Sequence, residues 1–366
     1  MTDLLHELIP QFPLYDKLVK SLADYRFLAR QGGWDTLPVD LQLRPGDTGA
    51  RVRELKDRLA REQYWPPETP EKVSRNEFGK QLKDVLERYQ VDRGLKADGK
   101  LGKQTVSELN VPVEDRIRRI ILNMERMRWL PEELGSRYVY VNIANYEVAY
   151  IENGLRKFSS RAIVGRPYRQ TPVFADHISH LVFNPRWYIP SSIVKQDIIP
   201  RVLKDTSYLN SERIKLYSRE DTRNQFVDPS TVNWSQLDPD RFSYQMVQEP
   251  GPWNELGKVK FMFPNHYNVY LHDTPEKKLF SRTVRNFSSG CIRVEKALEL
   301  ASEITRLKAK TIRDIVSGGD ERTYFLRKKI PVYILYLTAW RRGGERIQFR
   351  SDIYHRDREL LRKYFP

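Results

Sequence analysis

The single cysteine of the chain, Cys291, stands in Ser289-Gly290-Cys291-Ile292-Arg293, nineteen positions after the histidine of Tyr270-Leu271-His272-Asp273-Thr274. With no second cysteine it forms no internal disulfide, so any chemistry it performs is thiol chemistry. A thiol between a glycine and an arginine, with a histidine upstream, outlines an acyl-transfer nucleophile and its base. Gly290 lets the backbone turn tightly and brings amide N–H groups near the sulfur, where they can hold a developing oxyanion. Arg293 supplies positive charge, which lowers a thiol pKa, and its guanidinium can grip a carboxylate through two parallel hydrogen bonds. The bland alternative makes Cys291 a packed small hydrophobe, Arg293 a structural ion pair and Tyr270 a packed aromatic. A core cysteine, however, needs neither of those neighbours.

Other candidate ligands are sparse. His177 and His180 are three apart, but no cysteine or acidic ligand pattern accompanies them, and His266 reads as a loop residue, so no metal or other cofactor is expected. Asp98-Gly99 lacks the alternating acidic ligands and final glutamate of a calcium loop.

A chain of 366 residues that is 40% hydrophobic and 11% aromatic is a folded protein of two or three domains. Its net charge of +15 points to an anionic partner: nucleic acid, a membrane surface or an acidic cell-wall polymer. With no RNA-recognition aromatics, zinc-finger spacing or lysine-rich tail, nucleic acid is the weakest of these. No apolar run reaches the ~18 residues of a transmembrane span. Met1-Thr2-Asp3-Leu4-Leu5-His6 shows no signal-peptide pattern and reads as the start of a processed or truncated chain.

The elements that must position the candidate residues follow from periodicity. Residues 1–42 carry leucines at helical spacing, interrupted by Pro10 and Pro13 and closed by Gly32-Gly33. Residues 43–110 read as a three-helix module: turn chemistry at Arg44-Pro45-Gly46-Asp47 precedes Val52, Leu55 and Leu59, then Phe78 to Tyr89, then a helix ending at Leu109-Asn110. Residues 111–135 hold a bridging helix with Ile117, Ile120, Ile121, Met124 and Met127 along one side. From Ser136 the period becomes that of strands, with Asn153-Gly154 as a hairpin turn and later strands near 181–184, 258–263, 268–271 and 331–337. The strand signal lapses between about 190 and 257, as expected of a lid or cap inserted in a β core. Residues 136–338 thus read as a β-rich core, the candidate catalytic domain, and 339–366 as a C-terminal extension.

Two resemblances join these readings. The run from Leu43-Arg44-Pro45-Gly46-Asp47 through Tyr89-Gln90, Gly94-Leu95, Asp98-Gly99 and Gly102 to Leu109-Asn110 resembles a peptidoglycan-binding domain. The second half resembles the L,D-transpeptidase catalytic domain, in the long branch of periplasmic enzymes that add a helical scaffold and a peptidoglycan-binding domain. The match lies in Val164-Gly165-Arg166-Pro167 to Phe174, Phe183-Asn184-Pro185, Phe263-Pro264-Asn265, Tyr270 to Pro275 and Ser288 to Val294. It implies an α+β multidomain protein whose catalytic domain is mainly β and sandwich-like.

The resemblance also implies roles. Cys291, His272 and Gly290 become the catalytic set, with oxyanion donors from the Gly290 and Cys291 amides; Arg293, Tyr270, Ser289 and Asp273 become substrate contacts. Cys291 would attack a donor tetrapeptide at its third residue, diaminopimelate, and the thioester would pass to the side-chain amine of a second stem. Partners implied are peptidoglycan stems and glycan, with a carboxypeptidase or penicillin-binding proteins supplying tetrapeptides, in a periplasmic setting. Many relatives carry histidine where this chain has Ser289, and glycine or serine where it has Asp273. Adjacent strand residues face opposite ways, which argues against the Asp273 carboxylate orienting the imidazole. An unperturbed histidine pKa near ~6.5 predicts activity that falls in acid. A hydrolase using water as acceptor, and a silent wall-binding scaffold, are the competing readings.

Overall fold

The computed structural model describes residues 13–66, 75–219, 225–236, 238, 242–342 and 346–364. Leu4, Leu5, Leu8, Ile9 and Pro10 of the first helical pattern lie outside them. The chain forms two compact units, one from residues before 135 together with those after 335, the other Gly135–Leu335.

In the first unit, helix Pro13–Arg30 stops where Gly32 and Gly33 take positive φ, and the Gly33 N–H returns to the Leu28 carbonyl at 2.9 Å, a glycine C-cap. Helices Ala50–Arg61, Lys80–Asp92 and Lys103–Leu109 enclose Val52, Leu55, Phe78, Leu86, Tyr89 and Leu109. Gln90 is buried among them, and its amide donates to Asp98, to the Lys100 carbonyl and to Thr105, while its oxygen accepts the Gly99 N–H. The Asp98-Gly99 turn is therefore a hydrogen-bonded corner of this core.

The bridging helix and residues 336–342 and 346–364 fold together with the N-terminal helices, a grouping the sequence reading did not make. Helix Val113–Arg128 has Glu114 and Asp115 in its first turn and Arg126 and Arg128 in its last, matching the helix dipole. Its Asn123 exchanges hydrogen bonds with the Thr338 N–H at 2.8 Å and the Thr338 hydroxyl at 2.9 Å. Arg126 pairs with Asp357 at 2.5 Å. Local periodicity carries no trace of such pairings between distant residues.

A charged cluster lies at the centre of this unit. Buried Glu62 accepts from Tyr25 at 2.7 Å, Arg58 at 3.0 Å and Arg93 at 2.6 Å. Burial alone pushes its pKa up, but Arg93, Arg58 and Arg116 bring it down to about 2. The stabilisation is complete above the ordinary carboxylate pKa and is lost as pH falls through about 2. Glu62→Gln strands these arginines and is expected to cost roughly 3–5 kcal/mol. Urea unfolding at neutral pH reads this directly, and a change under about 1 kcal/mol would refute the cluster's role.

The second unit is built on β1 (Arg137–Asn142), β2 (Glu147–Glu152), β3 (Leu155–Gly165) and β4 (Phe174–Phe183). Asn153 and Gly154, both at positive φ, make the tight turn between β2 and β3. The insertion supplies β5 (Trp187–Tyr188), β6 (Ile214–Ser218), β7 (Phe226–Val227) and β8 (Tyr244–Gln248), after which come β9 (Val259–Met262), β10 (Leu271–His272), β11 (Asn286–Ser288), β12 (Ile292–Val294) and β13 (Arg322–Leu335). The main sheet runs β11-β3-β12-β10-β9-β4-β13-β1-β2, and β2 pairs again with β3, so it closes on itself. The result is an α+β protein with a barrel-like β fold, its interior filled by Val139, Val148, Ala162, Phe183, Phe261 and Ile292.

The insertion leaves and re-enters at one point, where Phe183 of β4 faces Val259 of β9. Asn184 holds this root through its side-chain amide to the carbonyls of Val316 and Asp320. Inside the insertion the structure corrects the expectation of lapsed strand signal: β5-β8-β6-β7 form a second sheet over Val194, Ile198, Val202, Leu216 and Met246. These strands are two to five residues long and separated by polar loops, so no alternation lasts long enough to register.

Candidate active site

β10 and β12 are parallel neighbours, with Leu271 beside Ile292 and His272 beside Arg293. Cys291 is the residue before β12, and the next N–H, of Ile292, donates to the Tyr270 carbonyl at 3.1 Å. Strand alternation then sorts the side chains. Leu271 and Ile292 are buried in the barrel, leaving Tyr270, His272, Cys291 and Arg293 on the other face. The Tyr270 and His272 rings lie 5.6 Å apart.

His272 is only 4% exposed. Its Nδ1 lies 2.5 Å from the Asp273 carbonyl oxygen; since a carbonyl only accepts, Nδ1 carries the proton and Nε2 holds a free lone pair. The backbone therefore orients the imidazole. The Asp273 carboxylate, expected among substrate contacts, is buried on the other side: it accepts the Lys258 N–H at 2.9 Å and pairs with Lys277. A Cβ on Gly257 would lie 2.5 Å from that carboxylate, so only glycine lets the chain pass there.

Burial first, and then the charge of Arg293, push the His272 pKa down to about 3, against the opposing effect of the Asp273 carbonyl. Burial likewise pushes the Cys291 thiol up to about 11, partly offset by the backbone N–H and hydroxyl of Tyr270 and by Arg293. The thiol points toward the Asn268 carbonyl at 3.8 Å. Both shifts favour a neutral imidazole and a neutral thiol at rest, in contrast to an ordinary histidine titrating near ~6.5. Reaction at Cys291 is expected to be flat from about pH 5 to about pH 8, since neither group changes charge there. Adduct formation followed by mass spectrometry at each pH checks this, and a fall centred near ~6.5 would refute it.

Three further expectations meet the geometry differently. Arg293 is already paired at both ends, with Glu276 at 2.8 Å and Glu255 at 3.0 Å, as a structural arginine would be. The Gly290 N–H, named as an oxyanion donor, is taken by the Ser288 hydroxyl at 3.2 Å. Among the described residues the Cys291 N–H has no acceptor, so it is the donor of that pair left open. Ser289 accepts from Arg169 at 2.9 Å, and Arg169 forks onto Asp197 of the insertion.

Sequence reasoning passed over several residues. Asn265 alone organises the loop before Tyr270, donating to the Phe263 and Val269 carbonyls and accepting the Tyr267 and Val269 N–H groups. Arg169 and Thr171 lie in the quoted motif, but their partners are 120 and 119 positions away, beyond any local signal. His177 and His180 are three apart on β4, opposite Pro331 and Phe325 of β13 on either side of a register shift. Among the described residues no group of three metal-ligating side chains occurs.

A closed, mainly β domain presents one thiol and one buried imidazole on the same strand face. The chain belongs to the L,D-transpeptidase family: residues 136–334 match the model of the L,D-transpeptidase catalytic domain. Residues 48–109 match a model described as "Putative peptidoglycan binding domain". A protein of Haemophilus influenzae named "Putative L,D-transpeptidase" is 33% identical over 276 residues, 73% of this chain and 55% of that protein. The chain thus spans about half the length of that relative. Among solved structures, an L,D-transpeptidase from Stackebrandtia nassauensis is similar at 13% identity over 85% of this chain and 100% of its own, with a TM-score of 0.30. One from Mycobacterium smegmatis is similar at 14% identity over 55% and 58%, with a TM-score of 0.27. No helix among the described residues is long and apolar enough to cross a membrane.

Proposed function

We propose that this chain crosslinks peptidoglycan by L,D-transpeptidation, with Cys291 as nucleophile and His272 as base. The observation that carries the reading is the tautomer of His272: with Nδ1–H donated to the Asp273 carbonyl, Nε2 is left as an acceptor on the face that bears Cys291. Nε2 takes the thiol proton as sulfur attacks the carbonyl of diaminopimelate in a donor tetrapeptide, and the Cys291 N–H receives the developing oxyanion. Collapse breaks the amide to the terminal D-alanine, whose amine leaves with the proton from His272. The thioester keeps its acyl reactivity without ATP. A side-chain amine of a second stem attacks it, gives its proton to His272, and the released thiolate recovers that proton.

The region resembling a peptidoglycan-binding domain supports this choice of polymer, as does the net charge of +15 opposite an anionic wall. The setting is the cell envelope, on the periplasmic side, with a carboxypeptidase or penicillin-binding proteins trimming pentapeptides to the tetrapeptide donor. The test is incubation with tetrapeptide sacculi followed by muramidase digestion and mass spectrometry. New dimers joined through two diaminopimelates are expected. Monomers released without new dimers would replace transfer by hydrolysis, and unchanged sacculi would leave the domain a binding scaffold.

A further inference from the structure

We propose that Thr171 is a positioning residue for acylation, acting through the peptide plane that joins Gly290 to Cys291; the proposal rests on Cys291 being the nucleophile. Thr171 is fully buried. Its hydroxyl donates to the Gly290 carbonyl at 2.8 Å, a direction settled by the carbonyl being an acceptor only. The same oxygen accepts the Gly165 N–H at 2.9 Å, so the hydroxyl bridges the end of β3 and the nucleophile loop. The intervening turn is tight: a Cβ on Gly165 would lie 2.1 Å from the Arg169 carbonyl.

The consequence falls on the far side of the peptide. A trans peptide holds its C=O and the following N–H in one plane, pointing opposite ways, so anchoring the Gly290 oxygen sets the heading of the Cys291 N–H. That N–H is the one left without an acceptor among the described residues. Gly290 sits at φ 121°, where a glycine gives the plane no steric restraint from a side chain. The Ser288 hydroxyl holds the next peptide, donating to the Cys291 carbonyl at 2.6 Å. An oxyanion donor is effective only when aimed before charge develops, because reorientation during the reaction costs free energy. Thr171 supplies that aim from a buried site through the Gly290 carbonyl.

The test compares two reactions of the full chain at Cys291. Carbapenem acylation passes through a tetrahedral oxyanion, whereas iodoacetamide alkylation displaces iodide directly and reports on the thiol alone. Thr171→Val is expected to slow acylation by about 10- to 100-fold while leaving alkylation within about twofold, and Thr171→Ser, which keeps the hydroxyl, to restore acylation. Should Thr171→Val fail to fold, the smaller Thr171→Ala carries the same expectation. Unchanged acylation, an equal fall in both reactions, or a serine variant as slow as the valine variant would each overturn the proposal. A wild-type chain that takes no carbapenem adduct on Cys291 overturns the underlying reading itself. Fast acylation of both wild type and Thr171→Val overturns only the role of Thr171.

Discussion

Cys291→Ala is expected to eliminate carbapenem adducts and crosslink formation, a loss of more than about 10⁴-fold, while the protein stays folded. The size of the effect follows from the balance of bonds: the acyl group must reside on sulfur between donor and acceptor, and no other thiol exists in the chain. The folding cost is small, since a half-buried cysteine loses one sulfur atom and the weak contact to the Asn268 carbonyl. Sacculus binding is expected to persist, because the region matching the peptidoglycan-binding model lies at residues 48–109. Intact-mass spectrometry after carbapenem exposure, beside a thermal melt, separates loss of chemistry from loss of fold. An adduct on the variant would move the nucleophile elsewhere.

His272→Gln is expected to slow acylation by about 10²- to 10⁴-fold near neutral pH. A thiol pushed up to about 11 is almost wholly protonated at pH 7, so it reacts only when a neighbouring base removes the proton during attack. The variant should gain a dependence that the wild type lacks. Without the imidazole, hydroxide must ionise the thiol, so the rate should climb about tenfold per pH unit toward the thiol pKa. A glutamine of similar shape preserves most of the packing around the buried ring, so a melt close to wild type is expected alongside. A variant as fast as wild type, with the same flat profile, would remove His272 from the mechanism.

These two residues were also the most legible ones. A lone cysteine after a glycine, and a histidine inside an apolar strand pattern, are local features that survive any uncertainty about packing. The Asn153-Gly154 turn is equally local, because both φ values must be positive and few residues tolerate that. The short strands of the insertion were not legible: β7 is two residues long, and its membership in a sheet comes from pairing with β6 rather than from its own pattern. Where the extension after 338 packs was not legible for a similar reason, since its place is set by Thr338 and Asp357 meeting Asn123 and Arg126, more than two hundred positions earlier.

By itself the sequence determined which groups are proposed to react, their order and the strand rhythm that brings them to one face, because these depend on residue type and on spacing of a few positions. Only the tertiary structure decided what state those groups are in. It turned Asp273 toward Lys258 and left its carbonyl to orient the imidazole, occupied Arg293 with Glu255 and Glu276, and took the Gly290 N–H for Ser288. It also buried His272 deeply enough to move its pKa to about 3. The physical reason is common to all of them: desolvation and hydrogen-bond partnership depend on which distant atoms fill the surrounding space, and that is settled only when the barrel closes.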